Sequence, residues 1–259
     1  MLDTPSQPIL KTVVITGASS GIGAATAILF SKHGYDVLLL GRNHSKLEEV
    51  RLKCNPRVQS INLAFDLNEV EKYKDELLAA LDKLSPLYCL VNNAGIFQSA
   101  SIEKEGLDEW YTQFELNLFS AVKLNKIVWP ILKKSKGSSI VNISSTLGLK
   151  PTSSTAAYSA SKAAMINYSI ALAQAGAPFY IRVNCICPGI VDTPIHGYKN
   201  LPVDEANKVI SQLNQLQPLN RIGKPEEVAN AIYFLGSENS SWTTGSILSV
   251  DGGINILNG

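Results

Sequence analysis

Tyr158 and Lys162 stand four residues apart in the run Tyr-Ser-Ala-Ser-Lys. On a helix that spacing stacks both side chains on one face, with the ammonium close to the phenol or to a ligand lying across both. Free tyrosine titrates near about 10. A neighbouring cation stabilises phenolate and so makes the phenol a usable proton donor near neutral pH, which is general acid/base equipment. An isolated pair of this kind is also what two half-exposed surface side chains look like. Its company has to decide.

That company begins upstream. Thr12-Val13-Val14-Ile15 is a β-branched apolar run leading into Thr16-Gly17-Ala18-Ser19-Ser20-Gly21-Ile22-Gly23 and then a helical stretch to His33, with Gly34 as its stop. In this strand, glycine-rich turn and helix, Gly17 permits the tight turn and Gly21 a close backbone approach. Gly23 lets the helix pack against the strand, and the helix N-terminus faces an anionic group such as a pyrophosphate. The alternation continues. Strands are expected over Asp36–Leu40, Val58–Ala64, Tyr88–Asn92, Ser139–Ser144 and Tyr180–Cys187. Helices are expected over Lys46–Lys53, after Asn68 (as N-cap, with Glu71 reaching back), over Leu107–Lys134 with Pro130 kinking or ending it, over Ala156–Ala175 and over Glu205–Leu216. Such βαβ units predict one α/β domain over residues 1–259 with a Rossmann-type doubly wound parallel sheet, its ligand crevice beyond the strand C-terminal ends.

The motifs and their order resemble the short-chain dehydrogenase/reductase family. Thr16 to Gly23 matches its Thr-Gly-x-x-x-Gly-x-Gly turn. Asn92-Asn93-Ala94-Gly95, Asn117, Ser144-Ser145, Tyr158 with Lys162, Pro188-Gly189-Ile190-Val191-Asp192-Thr193 and Gly245 to Gly253 follow in family order across nearly the whole chain. The resemblance implies hydride transfer between a nicotinamide dinucleotide and a carbonyl or alcohol. In it Tyr158 is the proton donor, Ser145 holds the substrate oxygen, Lys162 tunes Tyr158 and binds the nicotinamide ribose, and Asn117 holds a relay water. Strand alternation and the family spacing to the tyrosine favour Ser145 over Ser144. The implied cofactor contacts are Gly17, Ser19, Ser20, Gly21, Ile22, Gly23, Arg42, Asp66, Leu67, Asn93, Ala94, Gly95, Tyr158, Lys162, Pro188, Gly189, Ile190 and Thr193. Asp66 has the competing role of a turn cap. Where an NAD enzyme of this kind would carry an acidic residue, the second strand ends Gly41-Arg42. No carboxylate repels a 2′-phosphate there and a guanidinium offers it a planar fork, so NADP(H) is favoured and NAD(H) remains possible. Ser20 departs from the basic residue that NADP-preferring relatives often carry before Gly21.

Phe97, Leu147 and Ile190 follow family motifs and are expected to line an apolar substrate pocket, closed by the segment 194–219. The chain is also similar to beta-ketoacyl carrier-protein reductases. Lys136 and Lys150 could meet an acidic carrier protein, but Gln174 to Phe179 is apolar where such enzymes tend to be charged. That favours a free small-molecule substrate. A non-catalytic dinucleotide-binding regulator would share the fold but lose Tyr158 or Lys162, and a lyase or epimerase would need an added domain. By resemblance the chain assembles as a homotetramer through its closing segment Gly245–Gly259 and its two long helices, with a dimer as the alternative.

Composition sets the outer limits. Hydrophobic residues make up 45% of 259, charged residues 17%, and the net charge is +1, which leaves no electrostatic footprint for nucleic acid. Met1 to Pro8 lacks the basic and apolar regions of a signal peptide, and no apolar run is long enough to span a membrane, so a cytoplasmic location is expected. Cys185 and Cys187 share one face of a strand, where packing suffices, and no metal site is suggested. His33 and His44 fit surface roles; only His196 follows a functional motif.

Overall fold

The computed structural model describes residues 10–198 and 201–256. The reading of Met1 to Pro8 therefore lies outside the described residues, as do two residues of the 194–219 segment and the last three of the closing one. Seven strands, β1 (Thr12–Thr16), β2 (Asp36–Gly41), β3 (Ser60–Ala64), β4 (Leu87–Asn92), β5 (Ser139–Ile143), β6 (Arg182–Pro188) and β7 (Ile247–Val250), form one sheet in the order β3-β2-β1-β4-β5-β6-β7. Every pairing is parallel. The order reverses between β1 and β4, and a crevice opens beyond the C-terminal ends of strands at such a reversal.

Both sheet faces are covered, which is why the inner strands read as unbroken apolar runs. The pleat divides β1 cleanly. Val13 and Ile15 join Phe30 of α1 (Gly21–Lys32) and Ile232 of α8 (Pro225–Gly236) in one core. Val14 points the other way, toward Leu77 of α3 (Lys74–Leu81), Leu124 and Val128 of α5 (Ser120–Leu132) and Ala173 of α6 (Ala156–Gly176). The remaining helices are α2 (His44–Arg51), α4 (Leu107–Phe114) and α7 (Val203–Gln215). Strand β7 forms the outer edge, where Ile247 and Leu248, pointing to opposite faces, are both exposed. All four cysteines are free and buried, and Cys185 and Cys187 pack with Ile166.

Several expected boundaries are corrected. Helix α2 begins at His44 because Asn43 caps it, its side chain accepting from Lys46 N at 3.0 Å. Asn68 is not a helix cap: Asp66 holds that turn, accepting from Asn68 N at 2.9 Å, and α3 starts only at Lys74. Strand β6 starts at Arg182 because the single-turn helix Ala177–Phe179 ends with Tyr180 at a left-handed φ of 59°. The span expected as one helix over 107–134 is interrupted by a π-helical turn at Glu115–Phe119. Pro130 is accommodated in the last turn of α5.

Candidate active site

The first wall of the site is the turn after β1. Thr16 Oγ1 accepts from the backbone N–H groups of Asn93 (2.9 Å) and Ala94 (3.0 Å), and Asn93 Nδ2 donates to Thr16 O at 2.9 Å, so the ends of β1 and β4 are laced together. Closeness dictates glycine here. A Cβ on Gly17, which has φ +64°, would stand 2.9 Å from Ala94 Cα, and one on Gly23 would stand 2.3 Å from Gly17 O. Helix α1 then begins at Gly21 behind an extended Ser20 whose side chain makes no cap bond. The helix N-terminus is left for an outside acceptor, and the macrodipole favours an anion there.

Ser19, Ser20 and Gly21 line a cavity of about 240 Å³ together with Gly17, with Arg42 after β2, Asp66 and Leu67 after β3, and Asn93, Ala94 and Gly95 after β4. Thr193 closes it from the far side. This is the topological switch point. Its shape, its uncapped helix terminus and its exposed Arg42, which has no hydrogen bond or ion pair among the described residues, fit a dinucleotide with its pyrophosphate. Asp66 is both wall and turn cap. Of the expected contacts, Ile22 packs on the core and Gly23 sits behind the turn. Gly41, Ile96, Leu116, Pro194 and Ile195 also line the cavity; most of them directly follow or precede motif residues, and the sequence reading stopped at the motifs.

The reacting groups lie next door. Beyond β5, Ser144 Oγ donates to Lys162 O at 2.7 Å, while Ser145 Oγ accepts from Leu147 N at 3.1 Å and borders the same cavity as the Tyr158 phenol. Both serines border the substrate cavity, but only the hydroxyl of Ser144 is tied to Lys162 O. Tyr158 and Lys162 stand one turn apart on α6, 7% and 4% exposed. Lys162 Nζ donates to Ile143 O at 3.0 Å and lies 5.8 Å from the centre of the Tyr158 ring. Burial pushes the Tyr158 phenol up to about 12, only partly offset by Ser145, and it brings the Lys162 ammonium down to about 8. Desolvation is the dominant influence on the phenol, opposed by Ser145. At neutral pH the phenol keeps its proton and the lysine keeps its charge.

Asn117 lies in the π-helical turn, 1% exposed. Its Oδ1 accepts from Ile96 N at 2.8 Å, and its Nδ2 donates to Ile96 O and to Ser161 Oγ, each at 3.1 Å. Gly95 sits between this amide and the ammonium: a Cβ there would be 3.1 Å from Asn117 Oδ1 and 3.3 Å from Lys162 Nζ. Ser145, Tyr158 and Lys162 open onto a second cavity of about 460 Å³. Pro188, Gly189 and Ile190 border this one rather than the nucleotide cleft, and Phe97 and Leu147 line it as expected. Val209, Leu213 and Leu216 of the α7 region add an apolar roof, joined by Ile254 and His196. Val209, Leu213 and Leu216 stand at i, i+4 and i+7 in a largely polar stretch, a spacing that marks one helix face and could have found them.

A family model described as enoyl-(acyl carrier protein) reductase matches residues 17–255. The 3-oxoacyl-(acyl-carrier-protein) reductase of Chlamydia muridarum is 36% identical over 249 residues, 94% of this chain and 97% of the relative. Its counterpart in Thermotoga maritima is 32% identical over 247 residues, 95% of this chain and 98% of the relative. Among solved structures, L-sorbose reductase from Gluconobacter frateurii, complexed with NADPH and L-sorbose, has a TM-score of 0.89 at 30% identity, covering 96% of this chain and 98% of that one. A short-chain dehydrogenase/reductase of unknown function from Caenorhabditis elegans, solved with cofactor, has a TM-score of 0.87 at 32% identity and covers 96% of each chain. A nucleotide cleft at the switch point, a serine, tyrosine and lysine at its edge, and full-length likeness to these reductases lead to one conclusion: the chain is an oxidoreductase belonging to the short-chain dehydrogenase/reductase family.

Proposed function

We propose that the protein is an NADPH-dependent reductase of bulky, largely apolar ketones, able to run in reverse as an alcohol dehydrogenase. The observation that carries this is the convergence of Ser145, Tyr158 and Lys162 on a 460 Å³ cavity whose other walls are mostly apolar. A polyol would leave hydroxyls stranded against those walls, each unpaired group costing about 1–3 kcal/mol.

The dinucleotide supplies the hydride. Ser145 Oγ holds the carbonyl oxygen and the Tyr158 phenol, protonated at rest, donates its proton as charge develops there. Lys162 places a positive charge beside the reacting oxygen in a dry site, where it counts for more than in water, and is positioned for the ribose hydroxyls. Asn117 ties the β4 exit to α6. Its Oδ1 has one lone pair left beside Lys162, and a water between them would complete a proton relay. The preference for NADPH rests on Arg42, exposed on the wall of the cleft, and on the absence of a carboxylate at Gly41.

A second reading, reduction of 3-oxoacyl thioesters on a carrier protein, is favoured by the Chlamydia and Thermotoga relatives. Against it, Lys133 and Lys136, beyond the end of α5, lie over the rings of Phe179 and Tyr180 at 3.8 and 4.6 Å, so this face offers aromatic surface as much as free charge. We further propose a cytoplasmic homotetramer. Exposed Ile247 and Leu248 on the edge strand, and four buried free cysteines suited to a reducing compartment, support that reading.

NADPH consumption followed by absorbance over free ketones, aldehydes, quinones, steroids and carrier-protein thioesters tests the reaction. Turnover of free ketones is expected. Consumption with thioesters alone would install the second reading, and none with any carbonyl would overturn both.

A further inference from the structure

The apolar cavity contains one feature that the reduction itself does not use. His196 follows Thr193-Pro194-Ile195 in the segment over the substrate side and lines the cavity. Its ring is held from two sides. On one, it lies parallel to Tyr198, with centroids 6.1 Å apart and planes 6° from coincidence. Tyr198 is itself buried and donates its phenolic hydrogen to Asp192 Oδ1 at 2.6 Å. On the other, it meets Phe97 (6.3 Å), which also packs edge-on against Tyr158 (4.9 Å, 88°). The proton donor and the imidazole thus share Phe97 as a neighbour, and both border the same space.

The hydrogen-bonding state of that imidazole follows from its neighbours. Burial keeps His196 below the usual imidazole range, outweighing Asp192, so the ring is neutral near pH 7. A neutral imidazole carries its proton on one ring nitrogen and keeps the other as an acceptor. An acceptor in an apolar cavity discriminates sharply, because a substrate without a matching donor leaves it unpaired.

We propose that His196 reads the far end of the substrate, accepting a hydrogen bond from a hydroxyl carried by an otherwise apolar ketone. The inference rests on the proposed ketone reduction and narrows its substrate to ketones that carry a hydroxyl remote from the carbonyl. The probes are 4-(4-hydroxyphenyl)butan-2-one and 4-phenylbutan-2-one, which differ only in the remote hydroxyl.

Wild-type kcat/KM is expected to favour the hydroxylated ketone by about tenfold or more, mainly through KM. In His196→Phe, which preserves a flat ring between Phe97 and Tyr198, that preference falls to near unity. In His196→Gln, whose amide oxygen can accept, part of it returns. Melting curves of both variants report that the segment is still folded. A wild type that treats the two ketones alike, or a preference that survives in His196→Phe, overturns the role of His196 while leaving the reductase reading intact. Failure of the wild type to reduce either ketone, or any other carbonyl, overturns the reductase reading and this inference with it.

Discussion

Replacing Lys162 by Met removes a charge that the folded chain holds away from water. Burial lowers this ammonium from its ordinary 10.5 to about 8. At about 1.36 kcal/mol per unit of difference, the protonated lysine costs the fold about 3 kcal/mol at pH 7. The variant also loses the bond from the charged Nζ to Ile143 O, worth about 1.5–3 kcal/mol. A net gain of about 1 kcal/mol remains, which for a chain of this size raises Tm by about 2–4 °C. The gain depends on pH in a defined direction. Below pH 8 the lysine is protonated folded and unfolded, and its full cost is present. Between pH 8 and 10.5 the unfolded chain binds a proton that the folded chain does not, so wild-type stability climbs and the advantage of the variant shrinks. Above that window only the lost hydrogen bond is left and the variant is the less stable. Thermal melts of both proteins without dinucleotide, at pH 7 and pH 10 and at one ionic strength, give the two differences. A variant no more stable than wild type at pH 7, or equally stabilised at both, would refute a desolvation cost at Lys162.

Tyr158→Phe keeps the ring and its edge-on contact with Phe97 but removes the donor, so turnover should fall at least about a hundredfold with dinucleotide affinity retained; near-normal turnover would sink the mechanism. Arg42→Ala should weaken NADPH by about ten- to a hundredfold and leave NADH nearly unchanged. Adding Gly41→Asp, whose Cβ meets Leu47 Cδ2 at a tolerable 3.3 Å, should reverse the preference in kcat/KM; equal losses for both cofactors would remove Arg42 from the 2′-phosphate. Gly23→Ala has no such room, its Cβ lying 2.3 Å from Gly17 O, and should destabilise by about 1–3 kcal/mol and abolish dinucleotide binding in a titration. Light scattering at micromolar concentration should report four chains, and a monomer would contradict the proposed assembly.

The residues most legible in the sequence were those whose roles follow from spacing along the chain. Gly17, Tyr158 and Lys162 sit where a turn after an apolar strand or one helical turn must put them. What stayed hidden depended on partners distant in sequence. The preference for Ser145 over Ser144 was legible, but the bond from Ser144 Oγ to Lys162 O was not. The upward push on the Tyr158 phenol was also hidden, because proximity to a cation can be read from a spacing of four, whereas the dryness of the site depends on the surrounding walls. The break at Asn117 left no mark: apolar positions on both sides keep helical spacing, and Pro130 drew attention to the wrong place. Helix α8 did carry a signal, Pro225 followed by Glu226 and Glu227, that suits a helix start.

The π-helical turn sets stability and activity against each other at a single spot. An α-helix advances about 100° per residue, so one extra residue in the turn offsets α4 from α5 by that angle. Deleting one residue from 115–119 would let the two join as a single regular helix with better hydrogen bonding. The same deletion would turn α4 about its axis and swing the Asn117 amide away from Ile96 and Ser161. Selection for thermal robustness alone would erase this irregularity, and with it the placement of the Asn117 amide against Ile96 and Ser161.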